Sequence, residues 1–62
     1  MTKHELYEVV RDRVETNRHT LTEQRTRLAR GNAPIMTQQE HFMLDARTEE
    51  AKVILRLIAS LD

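Results

Sequence analysis

The sequence predicts an all-α protein, an antiparallel hairpin of two long helices over about residues 3–30 and 38–61, in a single domain spanning residues 1–62. Three observations predict this fold. The one glycine and the one proline both fall in the stretch "RGNAPIMT", residues 30–37, so the strong breakers of regular structure are concentrated at one place. A capping-box sequence precedes each flanking segment. Apolar residues recur at helical spacing on both sides of the break.

Helix 1 is predicted to begin after the capping box "TKHE", residues 2–5, and to end next to Gly31. Glycine suits the left-handed residue that closes a helix, and Pro34 follows at the distance typical of a helix end. The stretch "TLTE", residues 20–23, repeats the capping-box spacing inside this helix. A break near residues 17–20 is therefore an alternative, and a continuous helix is the preferred interpretation.

The apolar residues of helix 1 follow a seven-residue rhythm. One heptad position holds Tyr7, Val14, Leu21 and Leu28, and the other holds Val10, Asn17 and Gln24. This pattern is typical of a coiled-coil seam, here with a polar middle. We therefore expect helix 1 to pack against helix 2 along this stripe.

Helix 2 is apolar over an arc of about 240° in its C-terminal half, at 100° per residue. A helix with one neighbour needs an apolar stripe of little more than about 100°. Three or four aliphatic side chains left in water would forgo roughly 5–10 kcal/mol, comparable to the stability of a small domain. We therefore expect a homodimer in which two hairpins form a four-helix bundle. The predicted dimer interface is Val53, Ile54, Leu55, Leu57, Ile58 and Leu61.

Two alternatives concern this apolar arc. The first is that a foreign protein, and not a second copy, covers it. The second concerns Arg47 and Glu50, which fall inside the arc and are expected to pair at three-residue spacing near Asn17 and Gln24. A partly buried polar layer that sets the register is the preferred interpretation of these residues. A binding groove at the middle of the bundle is the alternative.

Composition restricts the class of protein. Ten Lys and Arg residues balance ten Asp and Glu residues, and cysteine is absent. The balance lacks the strong basic excess common in nucleic-acid binders, and the absence of cysteine excludes disulfides and thiolate zinc sites. The charged N-terminal residues lack a signal-peptide pattern, and the longest apolar runs are three residues. We therefore expect a cytoplasmic protein with no membrane span.

The sequence motifs do not predict an enzyme. The sequence contains no phosphate loop, nucleophile elbow or HExxH motif, so no catalytic residue and no cofactor is expected. Glu15, His19 and Glu23 are spaced four apart and would suit a divalent ion. The same spacing is typical of an exposed helix face whose acids pair with Arg18 and Arg27. The ion-paired face is preferred, and no metal site is expected.

A partner is predicted from two groups of residues. Arginine forks bind phosphates and carboxylates, although acids are interleaved with the arginines of helix 1. Large apolar side chains in a loop favour a contact with another protein, although plugging the end of the bundle is the preferred role for them. The candidate partner-binding residues are Arg11, Arg18, Arg25, Ile35, Met36 and Phe42.

The length and hairpin design resemble the plasmid-encoded repressor-of-primer family, whose members are dimeric four-helix bundles that bind paired RNA loops through a helix-1 face. The resemblance is one of architecture, and no motif matches residue by residue, so no RNA-binding residue is transferred. The preferred function is a non-enzymatic interaction module that binds a larger protein and inhibits or adapts it, as phage- and plasmid-type regulators do. The alternative is a small RNA- or DNA-binding regulator that uses the helix-1 arginines.

Overall fold

The computed structural model describes residues 1–61 and confirms the two-helix architecture. Helix α1 spans Lys3–Ala29 and helix α2 spans Gln38–Ala59, so the predicted helices were one and two residues too long. Within residues 1–61 there is no strand. The ammonium group of Lys3 donates a hydrogen bond to the Leu61 carbonyl, so the two helices run antiparallel. The hairpin is a rod of 47 × 16 × 15 Å.

Both helices begin at the predicted capping boxes. The Thr2 hydroxyl accepts from the Glu5 N–H at 3.1 Å, and the Glu5 carboxylate accepts from the Thr2 N–H at 3.4 Å. Thr37 and Glu40 repeat the arrangement at 3.1 and 3.3 Å. Each box satisfies N–H groups that the first turn of a helix leaves without a partner. The acidic side chain also lies at the positive end of the helix dipole.

Helix α1 ends in a Schellman motif at the only glycine. Gly31 has φ +75°, a left-handed conformation that glycine adopts without the steric cost of a Cβ. The N–H of Asn32 donates to the Arg27 carbonyl at 2.8 Å, and the N–H of Gly31 donates to the Leu28 carbonyl at 3.2 Å. This pair of bonds defines the motif and satisfies the last carbonyls of the helix.

Helix α1 continues through residues 17–20, so the preferred prediction of an unbroken helix is confirmed. The Thr20 hydroxyl donates to the Thr16 carbonyl one turn earlier, at 3.1 Å. A threonine whose hydroxyl bonds back to a carbonyl of its own helix does not act as the N-cap of a new helix. The capping-box spacing at residues 20–23 is therefore not used.

The two helices meet along the predicted seam. The residues buried in it are Val14, Leu21 and Gln24 of α1 and Thr48, Ala51 and Ile58 of α2. Tyr7, Val10 and Asn17 are half-buried, so the heptad pattern of α1 is confirmed except at Leu28. Leu28 is 55% exposed because it lies in the last turn of α1, where the chain leaves the seam to form the loop.

The core of one hairpin is small. Four apolar residues are buried within residues 1–61, namely Val14, Leu21, Ala51 and Ile58. Most of the large apolar side chains remain exposed, at both ends of the rod. Neither α1 nor α2, the two helices of the described chain, has an apolar stretch of the length needed to cross a bilayer.

Candidate interaction surfaces

A buried carboxamide holds the loop against α1. Gln24 is 2% exposed, and its side-chain oxygen accepts from the N–H of Ile35 at 2.8 Å. Its side-chain nitrogen donates to the carbonyl of Met36 at 3.1 Å. The sequence placed Gln24 in the polar middle of the seam but missed this role. The side-chain chemistry of glutamine could have indicated this role, because a carboxamide can bond one backbone N–H and one backbone carbonyl at the same time.

The loop held by Gln24 borders a cavity of about 520 Å³ at the turn end of the rod. We call it the turn-end cavity. Its apolar walls are Leu28, Pro34, Met36 and Phe42, and its polar lining is Gln24, Arg25, Thr37, Gln38 and His41. The volume lies within the range of about 300–1,000 Å³ typical of ligand sites. Phe42, at 67% exposed, presents a large apolar surface to solvent here.

The polar lining that the described residues give the turn-end cavity contains no carboxylate. Among residues 1–61, Arg25 has no acidic group within ion-pairing distance, whereas Arg18 and Arg27 each have one and Arg11 has two. The Nδ1 atom of His41 is buried and finds no hydrogen-bond partner in the described chain. A buried polar atom without a partner carries a free-energy cost.

Three of the six predicted partner-binding residues meet at the turn-end cavity. They are Arg25, Met36 and Phe42. Ile35 is 40% exposed and lies beside Met36 in the loop. Arg18 lies farther along α1, and Arg11 farther still, outside the lining of this cavity. The structure therefore does not bring the predicted set together at one surface.

The second surface, which we call the arginine face, is a groove of about 240 Å³ between the helices. Its lining residues are Arg18, Leu21, Thr22, Arg25, Asp45, Thr48, Glu49 and Lys52. The Lys52 ammonium donates to a Glu49 carboxylate oxygen at 2.9 Å. That hydrogen bond, with the charge of Lys52, lowers the pKa of Glu49, which keeps Glu49 negative. The arginine face therefore presents both signs of charge.

Acidic neighbours on α1 pair with Arg18 of the arginine face and with Arg11, which lies outside it. Arg11 pairs with Glu8 at 2.7 Å, and Arg18 pairs with Glu15 at 3.5 Å. The Glu15–His19–Glu23 face is ion-paired as predicted, since Glu23 lies 3.5 Å from the Arg27 guanidinium. No group of three acidic or histidine side chains in residues 1–61 is arranged to hold a metal ion.

The third surface lies at the opposite end of the rod from the turn. We call it the open-end apolar face, and its residues are Leu6, Val9, Val53, Ile54, Leu57 and Leu61, all between 40% and 61% exposed. Four of them belong to the predicted dimer interface. The expectation that one companion helix cannot cover the apolar arc of α2 is confirmed for these four.

The other two residues of the predicted dimer interface lie elsewhere. Ile58 is 5% exposed, inside the hairpin, and Leu55 is half-buried. Ile58 follows Ala51 by seven residues, so both lie on the stripe that faces α1. The prediction that Ile58 belongs to the leftover surface is therefore wrong, because the hairpin itself already covers this side chain.

A groove of about 440 Å³ continues the open-end apolar face toward the middle of the rod. Its lining residues are Val10, Arg13, Asn17, Leu44, Arg47, Glu50, Ala51 and Ile54. Within residues 1–61, Arg47 and Glu50 are exposed and do not form the expected ion pair. Gln24 bonds to the loop and not to either of them. One chain therefore forms a groove here, and not the predicted polar layer.

Comparison of the chain with known protein families, with curated proteins and with solved structures found no match. No function is therefore transferred from a known protein to the turn-end cavity, the arginine face or the open-end apolar face.

Proposed function

We propose that the protein is a non-enzymatic interaction module, a homodimeric helical bundle that binds a larger protein and modulates it. One observation carries the proposal. Two exposed apolar surfaces lie at opposite ends of a 47 Å rod, the open-end apolar face and the turn-end cavity. Contiguous apolar patches on soluble proteins mark interaction sites. Their separation allows one end to bind a second copy while the other binds a partner.

The open-end apolar face supports self-association because the hairpin alone buries few of its apolar side chains. A standard interface removes about 800 Å² from each partner, roughly a sixth of the 4975 Å² exposed by the described chain. The apolar face and its groove extend from the chain ends to mid-rod, a length that can supply such an area. A two-fold axis through this surface would give a four-helix bundle.

Charge in the mid-rod groove also fits a second copy. Arg13, Arg47 and Glu50 line the groove, and none of them forms an ion pair within residues 1–61. A surface that carries both signs can be complementary to a rotated copy of itself, with the acid of one chain opposite an arginine of the other. Such pairs would restore the expected polar layer between chains.

The proposal is tested by affinity capture from a lysate of the source cells with two variants of matched chemistry. Phe42→Asp places a charge at the turn-end cavity, and Ile54→Asp places the same charge at the open-end apolar face. We expect Phe42→Asp to lose the partner protein and to keep the mass of a dimer. Ile54→Asp should lose the dimer. If Phe42→Asp and the wild type capture the same proteins equally, the turn end is not the partner site and the proposal fails.

The second candidate, a nucleic-acid-binding regulator, is favoured by the position of Arg18 and Arg25 along one groove. Asp45 and Glu49 in that groove oppose phosphate binding. On the interaction-module proposal, the wild type shows no retention on RNA or DNA even at low salt. Retention that falls steeply as salt rises, and that disappears in the Arg18→Ala, Arg25→Ala double variant, would favour the second candidate instead.

A further inference from the structure

We infer that the turn-end cavity receives a segment of the partner protein that places an aromatic or large aliphatic side chain next to a carboxylate. The inference rests on the proposed function, because it assigns a chemistry to the partner of the interaction module. It draws on three properties of the cavity within residues 1–61, namely its apolar walls, an arginine without an ion pair in a lining without a carboxylate, and the bonds that hold its shape.

The apolar walls define the first half of the ligand. Leu28, Met36 and Phe42 come from α1, the loop and α2, so three segments of the chain contribute apolar surface to the cavity. Phe42 and Leu28 are each more than half exposed. An inserted ring or branched chain would remove apolar surface on both molecules from water, which is the main source of affinity at such sites. An aromatic ring would also contact Phe42 edge-on or in an offset stack.

The charge of the lining defines the second half. Arg25 has no acidic partner within the described residues, and its guanidinium can bind a carboxylate through two parallel hydrogen bonds. His41 lines the same cavity, and its Nδ1 atom is shielded from solvent. Thr37 and Gln38 add the start of α2 to the lining, where the Glu40 carboxylate of the capping box already lies at the positive end of the helix dipole. In the described part of the chain, an arginine without an ion pair, in a lining without a carboxylate, favours an anion beside the apolar group.

The cavity is formed before any ligand enters. Gln24 bonds the loop at Ile35 and Met36, and the capping box at Thr37 and Glu40 fixes the first turn of α2. Arg27 adds a bond to the Ala33 carbonyl at 3.5 Å. A preformed site loses less conformational entropy on binding than a mobile loop does, so even a small fragment should be bound measurably.

Two fragments with the same apolar body and opposite charge test this chemistry. The probes are 3-phenylpropionate and 3-phenylpropylamine, titrated at millimolar concentration into the full ¹⁵N-labelled chain while amide shifts are followed by NMR. We expect the acid to shift the amides of Leu28, Met36 and Phe42 in a saturable way. The amine should bind about tenfold more weakly, the difference expected when a charged hydrogen-bonded contact is lost.

Variants assign the effect to named groups. Arg25→Gln should weaken binding of the acid about tenfold and should not weaken binding of the amine. Arg11→Gln is the matched control, since Arg11 pairs with Glu8 outside the cavity, and it should bind the acid as the wild type does. Phe42→Ala should lose both probes while the circular dichroism spectrum stays helical. Equal affinity for acid and amine, or an unchanged affinity in Arg25→Gln, would overturn the inference.

Two further outcomes distinguish an acidic protein segment from RNA and from a partner segment without a carboxylate. If an oligouridylate shifts the same amides and is displaced by moderate salt, the cavity recognises phosphate on RNA and the inference is wrong. If neither fragment binds while Phe42→Asp still abolishes capture of the partner, the interaction module stands and the acidic chemistry is wrong. If Phe42→Asp captures the partner normally, the proposed function fails as well.

Discussion

At the scale of single residues, Gln24 links the packing of the hairpin to the shape of its candidate binding surface. Its side chain is buried at a seam position and yet bonds to the backbone of the loop at Ile35 and Met36. Those two backbone groups would otherwise lack partners on the protein side. One polar residue therefore contributes to the seam, to loop closure and to the wall of the turn-end cavity.

We predict that Gln24→Ala lowers the free energy of unfolding by about 1–3 kcal/mol, because it leaves a loop N–H and a loop carbonyl without their buried partner. Urea unfolding at a fixed chain concentration measures the change. Gln39→Ala, an exposed substitution of the same size in the first turn of α2, is the control and should alter stability by less than about 0.5 kcal/mol. Equal stability of the two variants would show that Gln24 does not hold the loop.

At the scale of secondary-structure elements, Gly31 separates the two helices. Its left-handed conformation ends α1 and turns the chain toward α2. No heavy atom lies within 4 Å of the position that a Cβ would occupy there. The cost of a side chain at this position is therefore a backbone cost, and not a clash. Asparagine tolerates the left-handed region better than alanine does.

We predict that Gly31→Ala destabilises the hairpin by about 1 kcal/mol and that Gly31→Asn destabilises it by clearly less. Thermal unfolding of the two variants beside the wild type measures this order. Ala33→Gly, which changes the same loop outside the helix end, controls for loop flexibility. If Gly31→Ala were as stable as the wild type, the Schellman motif would contribute little to ending α1.

At the scale of the whole molecule, the small core and the large exposed apolar area make assembly the central question. Sedimentation equilibrium at micromolar concentration should give the mass of two chains for the wild type. Ile54→Asp should give one chain and a lower, concentration-independent unfolding midpoint, because folding is then no longer coupled to association. Ile54→Leu keeps the apolar character and should remain dimeric. A single-chain mass for the wild type at high concentration would contradict the dimer.

The Ile58→Asp variant should behave differently from Ile54→Asp. Ile58→Asp places a charge inside the hairpin seam, where the wild-type side chain is buried, so we expect loss of helical circular dichroism and not only loss of the dimer. Ile54→Asp at low concentration should keep more of its helical signal. If the two variants were equally folded, the seam would not run through Ile58.

The sequence by itself determined the two helices, both capping boxes, the glycine at the helix end and most of the α1 seam. These features depend on local backbone chemistry and on the spacing of apolar residues along one helix, and residues close together in the sequence determine both. The surplus of apolar surface on α2 was predicted for the same reason, since the arc of a helix follows from its residue spacing.

Only the tertiary structure decided which apolar side chains are covered. An apolar arc of about 240° contains several stripes that could face α1, and the heptad through Ala51 and Ile58 is the one that does. The loop contacts of Gln24, and the meeting of Arg25 and Phe42 at one cavity, join residues 11 to 17 positions apart. Such contacts depend on how the chain turns at Gly31 and how the helices align, which the spacing of residues within one helix does not specify.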